Sequence, residues 1–162
     1  MLKPEVLYEL TQKELAPDKA LEIIDQTTNL DDLLEVLLYF THHFARAIVE
    51  AKDDVEMKAE AIFHLGEIFN SLYLAIYAFP LMSKLSLYDI PEEYLFKRIK
   101  DHLIYLGIQY ARVKDGEPLE NVALRLKSRA ILARSFIEDL TEKAYSTLRD
   151  LNKERQSLTA EA

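Results

Sequence analysis

Residues 54–79 read DVEMKAEAIFHLGEIFNSLYLAIYAF, and this stretch decides the fold. Its apolar residues recur every three or four positions, which is the spacing of an amphipathic α-helix. One stripe faces a core and consists of Met57, Ala61, Leu65, Ile68, Leu72, Ile76 and Phe79. Phe63, Leu74 and Tyr77 fall on nearly the opposite side of the same helix. The stretch therefore predicts a helix with more apolar surface than one intramolecular contact needs.

The same helical spacing continues on both sides of this stretch, without the sustained period-two alternation that would indicate a strand. We predict a single all-α domain over residues 1–162, an up-and-down bundle of four long helices with a short N-terminal pair. The short N-terminal pair occupies residues 1–28, with helices over 4–15 and 17–27. The long helices cover 29–52, 54–79, 91–113 and 118–153.

Polar residues, prolines and a glycine set the predicted helix ends. The side chain of Asn29 can cap the free N–H of Asp32, and Asp53 or Asp54 can cap the next helix. Residues 80–90 are predicted to form a connection that can contain a helical turn. Residues 114–116 end the following helix. These signals predict short turns between antiparallel helices.

The last helix carries one continuous apolar stripe. Its members are Leu119, Val122, Leu126, Ala130, Ala133, Ile137, Leu140, Ala144, Leu148 and Leu151. We therefore expect this helix to pack along its whole length. Beyond the end of the bundle, only a partner or the N-terminal helix pair could cover it.

The helix predicted over residues 91–113 also has a second apolar face, because Ile104 and Ile108 lie opposite its core stripe. Two helices with spare apolar faces favour self-association. We predict a homodimer whose interface consists of Phe63, Leu74, Tyr77, Ile104 and Ile108. A membrane-spanning reading of residues 61–82 is disfavoured, since His64 and Glu67 would be costly in lipid and no positive flank anchors the segment.

Composition and charge narrow the function classes. The chain has no cysteine, which excludes disulfides and thiolate chemistry, and it opens without a signal peptide, so we expect a cytoplasmic protein. Few glycines and much glutamate would suit a thermophile. The net charge is −8, with acidic residues in excess over 1–60 and basic residues in excess over 97–134. The acidic and basic parts can pack on each other, or the basic part can meet an external anion.

One polar stripe crosses the otherwise apolar helix 54–79 and consists of Glu60, His64, Glu67 and Ser71. His64 and Glu67 could bind one metal ion, but ferritin-like sites use Glu-x-x-His on two helices, and that motif does not occur here. His42 and His43 are expected on the polar side of their helix, and His102 as a hydrogen-bonded structural histidine. We predict no metal and no cofactor.

Two stretches resemble helical enzyme families. Residues 30–39, LDDLLEVLLY, loosely resemble the second helix of MazG-type nucleotide pyrophosphatases, but the order of the acids is reversed and the upstream Glu-x-x-Glu is missing. One acid pair cannot hold the magnesium ion, so we do not assign the chain to that family. Residues 89–105 are similar to the active-site helix of the HEPN nucleases, small helical dimers that cleave or bind RNA. That family has four to six residues between its Arg and His, whereas three separate Arg98 from His102. This resemblance implies RNA binding without catalysis.

Basic and aromatic side chains also line two predicted helix edges: Tyr94, Arg98, Tyr105 and Arg112 on one, and Arg125, Lys127, Arg129 and Arg134 on the next. Such edges can hold a phosphate backbone, although the acidic chain disfavours nucleic acid. The sequence predicts a homodimeric adaptor, regulator or small subunit of a larger assembly that works by binding. The alternatives are a bundle enzyme using a metal or nucleotide, or a non-catalytic HEPN-like RNA binder.

Overall fold

The computed structural model describes residues 1–84 and 90–161, and within these ranges every regular element is an α-helix. The predicted all-α class is therefore confirmed. The elements are α1 (Pro4–Leu10), α2 (Pro17–Gln26), α3 (Leu30–Glu50), α4 (Val55–Lys84), α5 (Glu92–Lys114) and α6 (Leu119–Glu161).

The most extensive packing joins α4 to α6. These two helices run in the same direction, because Asp53, just before α4, contacts Leu119 at the start of α6, and Glu67 contacts Arg134 further along both. Helix α3 packs against α4 and α5, and α2 packs against α5. The short N-terminal helices therefore belong to the core assembly.

The predicted core stripe of α4 is buried except for Met57, which is partly buried. The core stripe of α5 is buried as well and consists of Leu95, Ile99, Leu103, Leu106 and Tyr110. Phe40 and Phe44 of α3 meet the ring of Tyr110 from α5 at centroid distances of 5.4 and 5.8 Å. Val55–Leu81 of α4 is long and apolar enough to span a membrane by length and composition alone, and it is the only such helix within the described ranges.

Three predicted helix ends are confirmed. The Oδ1 of Asn29 accepts a 2.9 Å hydrogen bond from the backbone N–H of Asp32, and the Oδ1 of Asp54 accepts one of 2.8 Å from Met57. Gly116 ends α5 with a φ of 87°, a conformation that favours glycine. These three residues set the turns on either side of the long helices.

Asp53 has a role that the sequence did not reveal. Its Oδ2 accepts a 2.9 Å hydrogen bond from the backbone N–H of Leu119, so it caps α6 rather than α4. Hydrogen bonds from the backbone of Leu119 and then of Asp54 lower the pKa of Asp53 below its usual value. The turn between α3 and α4 is thereby joined to the start of α6.

Helix α1 ends at Leu10, so the predicted end at residue 15 is wrong. Side chains of α3 bind backbone carbonyl groups at and just after this end. The Nε2 of His43 lies 2.7 Å from the carbonyl oxygen of Leu10, and Arg46 donates to the carbonyl of Lys13 at 3.2 Å. The expected polar placement of His43 is also wrong, since α1 covers that side of α3 and buries the ring.

Helix α2 approaches α5 closely at Gly107. A Cβ at this position would lie 2.6 Å from the Cδ2 of Leu21, so the absent side chain makes the approach possible. Lys100 of α5 donates to the carbonyl groups of Asp25 and Thr27 at the end of α2. These contacts fix α2 against α5.

Helix α4 continues through Pro80 to Lys84, so the predicted end at residue 79 is wrong. The fixed φ of proline is itself helical, so Pro80 can stay within the helix, although it lacks the backbone hydrogen bond to the preceding turn and its ring crowds the carbonyl four residues before it. The following residues up to Lys84 contain no glycine that would end the helix. The rest of the predicted connection, residues 85–89, lies outside the described residues.

Helix α6 is 43 residues long and ends at Glu161, beyond the predicted residue 153. Its apolar stripe is buried only as far as Ala144, and Leu148 and Leu151 are exposed. The expectation of packing along the whole helix is therefore wrong. The N-terminal pair packs on α3 and α5 and leaves the last turns of α6 in solvent.

Candidate functional site

The outer face of α4 carries large apolar side chains that no other helix covers. Phe63 is 63% exposed, Leu74 48%, Tyr77 59% and Leu81 49%. Their spacing places them along one line of the helix, opposite the buried core stripe. Three of these four residues were predicted from the sequence, and Leu81 was missed because the helix was expected to end earlier.

The whole line from one end of α4 to the other is here called the α4 stripe. Its members are Glu56, Ala59, Phe63, Gly66, Asn70, Leu74, Tyr77, Leu81 and Lys84. All are exposed except Gly66, which is partly buried. A Cβ at Gly66 would meet nothing within 4 Å, so the stripe has an open notch at this position. The stripe has charged ends, an apolar body and an amide at its centre.

The aromatic rings beside the stripe are already ordered. Phe69 stacks on Tyr73 with centroids 5.9 Å apart, and Tyr73 stacks on Tyr77 at 5.8 Å. Phe69 is anchored against the core, so its contacts restrict the more exposed rings. Preordered rings lose little side-chain entropy when a partner covers them.

Apolar grooves flank the stripe on both sides. A groove of about 340 Å³ lies between α3 and α4 and includes Leu38, Ala45, Ile62 and Phe69. A groove of about 280 Å³ lies between α4 and α6 and is lined by Leu74, Ala78, Phe79, Ile137, Thr141, Ala144, Tyr145 and Leu148. The second groove connects the α4 stripe to the exposed end of α6.

Ile104 and Ile108 do not belong to this face. Ile104 is half-buried against the core, and Ile108 is exposed on α5. Helices α4 and α5 pack through their buried sides, so their outer faces point away from each other. The five residues predicted as one interface thus lie on two separate surfaces.

The polar stripe of α4 is joined to α6 by a hydrogen bond. The Nδ1 of His64 lies 2.8 Å from the Oε1 of Glu67, and Arg134 donates to the Oε2 of Glu67 at 3.0 Å. The Nε2 of His64 is 3.9 Å from a carboxylate oxygen of Glu60. Both carboxylate oxygens of Glu67 are therefore engaged, one by His64 of the same helix and one by Arg134 of α6. Within residues 1–84 and 90–161, no three His, Asp or Glu side chains are placed to hold a metal ion.

A second cluster follows the seam between α5 and α6. The guanidinium of Arg129 lies 3.9 Å from the ring centroid of Tyr105, and that of Arg98 lies 5.2 Å from the centroid of Phe136. Neither Arg98 nor Arg129 forms an ion pair with a carboxylate in the part of the chain that the structure describes. The seam therefore presents two cations stacked on aromatic rings.

His102 lies between these arginines and is only 4% exposed. The Nδ1 of His102 lies 3.5 Å from a nitrogen of Arg129, which can only donate, so Nδ1 is an acceptor. Burial, and then the charges of Arg129 and Arg98, lower the pKa of His102 to about 4. The imidazole is neutral near pH 7, and the prediction of a hydrogen-bonded structural histidine agrees with this environment.

The other predicted basic residues lie in different environments. Arg125 pairs with Glu117 at 2.6 Å and donates to Gln109 at 3.3 Å, while Arg134 is bound to Glu67. Arg112 and Lys127 are exposed. The seam is thus divided into a neutralised part near Arg125 and an uncompensated part near Arg98 and Arg129.

Comparisons with protein-family models, with curated proteins and with solved structures find no match to this chain. The candidate functional surfaces are therefore the α4 stripe and the α5–α6 seam.

Proposed function

We propose that this protein acts by binding, as a homodimeric adaptor, regulator or small subunit of a larger assembly, with the bundle as a rigid scaffold. The observation that supports the proposal is the exposed apolar body of the α4 stripe, from Phe63 to Leu81. A solvent-facing helix surface normally carries charged residues, whereas no charged residue occurs between Ile68 and Pro80. Such a surface is typical of a protein contact.

The available area fits a second copy of the chain. Phe63, Tyr77 and the neighbouring Tyr145 are each more than half exposed. Since an aromatic side chain can bury about 150–250 Å², these three rings offer roughly 300–450 Å². Leu74, Leu81 and Leu148 extend this area toward the ~800 Å² per partner of an ordinary interface.

Native mass spectrometry and light scattering of the purified protein test the proposal. We expect a species with twice the chain mass of 18.8 kDa. Tyr77→Glu places a charge among the apolar side chains of the contact and should weaken the dimer by about 2–4 kcal/mol, or roughly 30- to 1000-fold. A wild-type protein that stays monomeric at high micromolar concentration would contradict the homodimer.

Two variants control for the charge itself. Tyr8→Glu makes the same substitution at a tyrosine of α1 that is 65% exposed, and Ile108→Glu changes the outer face of α5. Both should leave the dimer intact. If Ile108→Glu dissociates the dimer and Tyr77→Glu does not, self-association uses α5 instead of α4.

The uncompensated cations of the α5–α6 seam support a second candidate, the binding of single-stranded RNA. Arg98 and Arg129 could contact phosphates while a base stacks on Tyr94, whose ring is 40% exposed beside Phe136. Fluorescence anisotropy with a labelled oligoribonucleotide at about 50 and 200 mM salt tests this. Arg98→Ala with Arg129→Ala should weaken binding at least tenfold, whereas Arg149→Ala on α6 should not. No binding by the wild type at low salt would eliminate this candidate.

A further inference from the structure

The α4 stripe is nearly symmetric about its own centre. Helix α4 runs over Val55–Lys84, and Asn70 lies at its middle. The geometry points to an antiparallel contact between the α4 helices of two copies, with the two-fold axis passing at Asn70; this inference rests on the homodimer proposed above. In such a contact, residues at equal distances before and after Asn70 face each other across the interface.

The facing residues are complementary at every step. Gly66 faces Leu74 of the second copy, four residues from the centre, and Phe63 faces Tyr77, seven residues from it. Leu74 can enter the open notch at Gly66, where nothing lies within 4 Å of an added Cβ. The exposed rings of Phe63 and Tyr77 can then pack against each other. Each pair occurs twice, once on either side of the axis.

The ends and the centre of the stripe follow the same rule. Ala59 faces Leu81, and Glu56 faces Lys84, so a small residue meets a large one and an acid meets a base. At the axis Asn70 faces itself, and an amide can both donate and accept a hydrogen bond. A single asparagine in an apolar helix contact is a known determinant of register. The charge, volume and polarity of the stripe thus all favour one alignment.

A parallel contact would match each residue with its own copy. Glu56 would then face Glu56 and Lys84 would face Lys84, which brings like charges together at both ends. Gly66 facing Gly66 would leave an open space between two helices. The antiparallel alignment removes both defects.

Electron paramagnetic resonance distance measurements test this alignment. The chain has no cysteine, so single nitroxide labels can be attached to Glu56→Cys in one sample and to Lys84→Cys in another. Each labelled position lies fourteen residues from Asn70. With a rise of 1.5 Å per residue, both samples should give a label-to-label distance of about 42 Å. Exposed terminal ion pairs contribute little to a contact, so the labels should leave the dimer intact.

The two distances together report direction and register. A parallel contact gives about 10 Å in both samples. An antiparallel contact centred elsewhere gives one longer and one shorter distance, because moving the axis lengthens one by as much as it shortens the other. Either result overturns the alignment about Asn70 while a dimer remains in native mass spectrometry. A monomeric wild-type protein overturns the homodimer itself, and the alignment with it.

Oxidative cross-linking covers the case in which the labels disrupt the dimer. Asn70→Cys places a thiol at the axis, where the two copies approach closely enough for a disulfide, for which the Cα atoms must lie within about 7 Å. We expect a covalent dimer from Asn70→Cys and none from Ile108→Cys under the same oxidant. Equal yields from the two variants, or no product from Asn70→Cys, would overturn the alignment.

Discussion

The hydroxyl of Tyr110, on α5, donates a 2.6 Å hydrogen bond to the backbone carbonyl oxygen of Leu15, between α1 and α2. Burial, and then the charges of Glu14 and Glu50, raise the pKa of Tyr110 to about 12, so the phenol keeps its proton throughout the physiological range. The bond joins two segments that are far apart in sequence. It belongs to a set of contacts in which side chains of α3 and α5 bind carbonyl groups of the N-terminal segment.

Tyr110→Phe removes only this hydroxyl. The carbonyl of Leu15 would then be buried without that donor, which costs about 1–3 kcal/mol in the free energy of unfolding. Urea denaturation followed by circular dichroism measures the change. Tyr8→Phe removes the hydroxyl of an exposed tyrosine and should change the stability by less than about 0.5 kcal/mol. Equal effects from the two variants would show that the Tyr110 hydrogen bond adds no stability.

The low pKa of His102 predicts a stability that depends on pH. The unfolded chain protonates this histidine near pH 6.5, and the folded protein only near pH 4. Between these values the unfolded state binds more protons, so the stability from neutral His102 is complete above about pH 6.5. It decreases as the pH falls toward 4, by up to about 3 kcal/mol. Unfolding free energies at a series of pH values measure the decrease.

His102→Gln provides the control for this pH dependence. Glutamine keeps an acceptor for Arg129 and does not titrate, so the variant should lose less stability between pH 6.5 and 4 than the wild type. Parallel pH profiles for the two proteins would mean that another group causes the acid sensitivity.

Gly66→Ala should affect the folding of one chain and the association of two chains in opposite directions. The added methyl group meets nothing within 4 Å and replaces glycine inside a helix, so the monomer should gain about 0.5–1 kcal/mol of stability. In the antiparallel dimer the same methyl group occupies the notch for Leu74, so the dimer dissociation constant should rise. Thermal unfolding at low concentration and analytical ultracentrifugation measure the two effects. Tighter association in the variant would contradict the notch.

A charge exchange tests the ends of the α4 stripe. Glu56→Lys places two lysines opposite each other, and Lys84→Glu places two glutamates there. Because the two-fold axis produces the pair twice, either single change should weaken the dimer by about 1–2 kcal/mol. The double variant restores opposite charges and should recover most of that loss. If the double variant is as weak as the sum of the two single variants, residues 56 and 84 are not partners.

Local signals in the sequence predicted much of the fold. Asn29 caps α3 and Gly116 ends α5, because both effects depend on residues within one helical turn. The buried stripe of α4 follows from periodicity alone. The end of α1 was not predictable in the same way, since His43 and Arg46 act on it from a different helix.

The candidate site shows the same division. The spacing of Phe63, Leu74 and Tyr77 placed them on one face of α4, and the structure leaves that face exposed. Grouping them with Ile104 and Ile108 was wrong, because the periodicity of each helix does not indicate how α4 and α5 pack against each other. The predicted end of α4 before Pro80 also left Leu81 and Lys84 out of the α4 stripe.

The exposed end of α6 gives the proposed dimer a particular shape. Residues 149–160 are exposed, and at 1.5 Å per residue they reach about 18 Å. Because α6 runs in the same direction as α4, antiparallel α4 helices send the two α6 ends away from each other. The assembly would then have the form of a connector with a free arm at each end. It would not resemble a clamp whose two arms close on a single target.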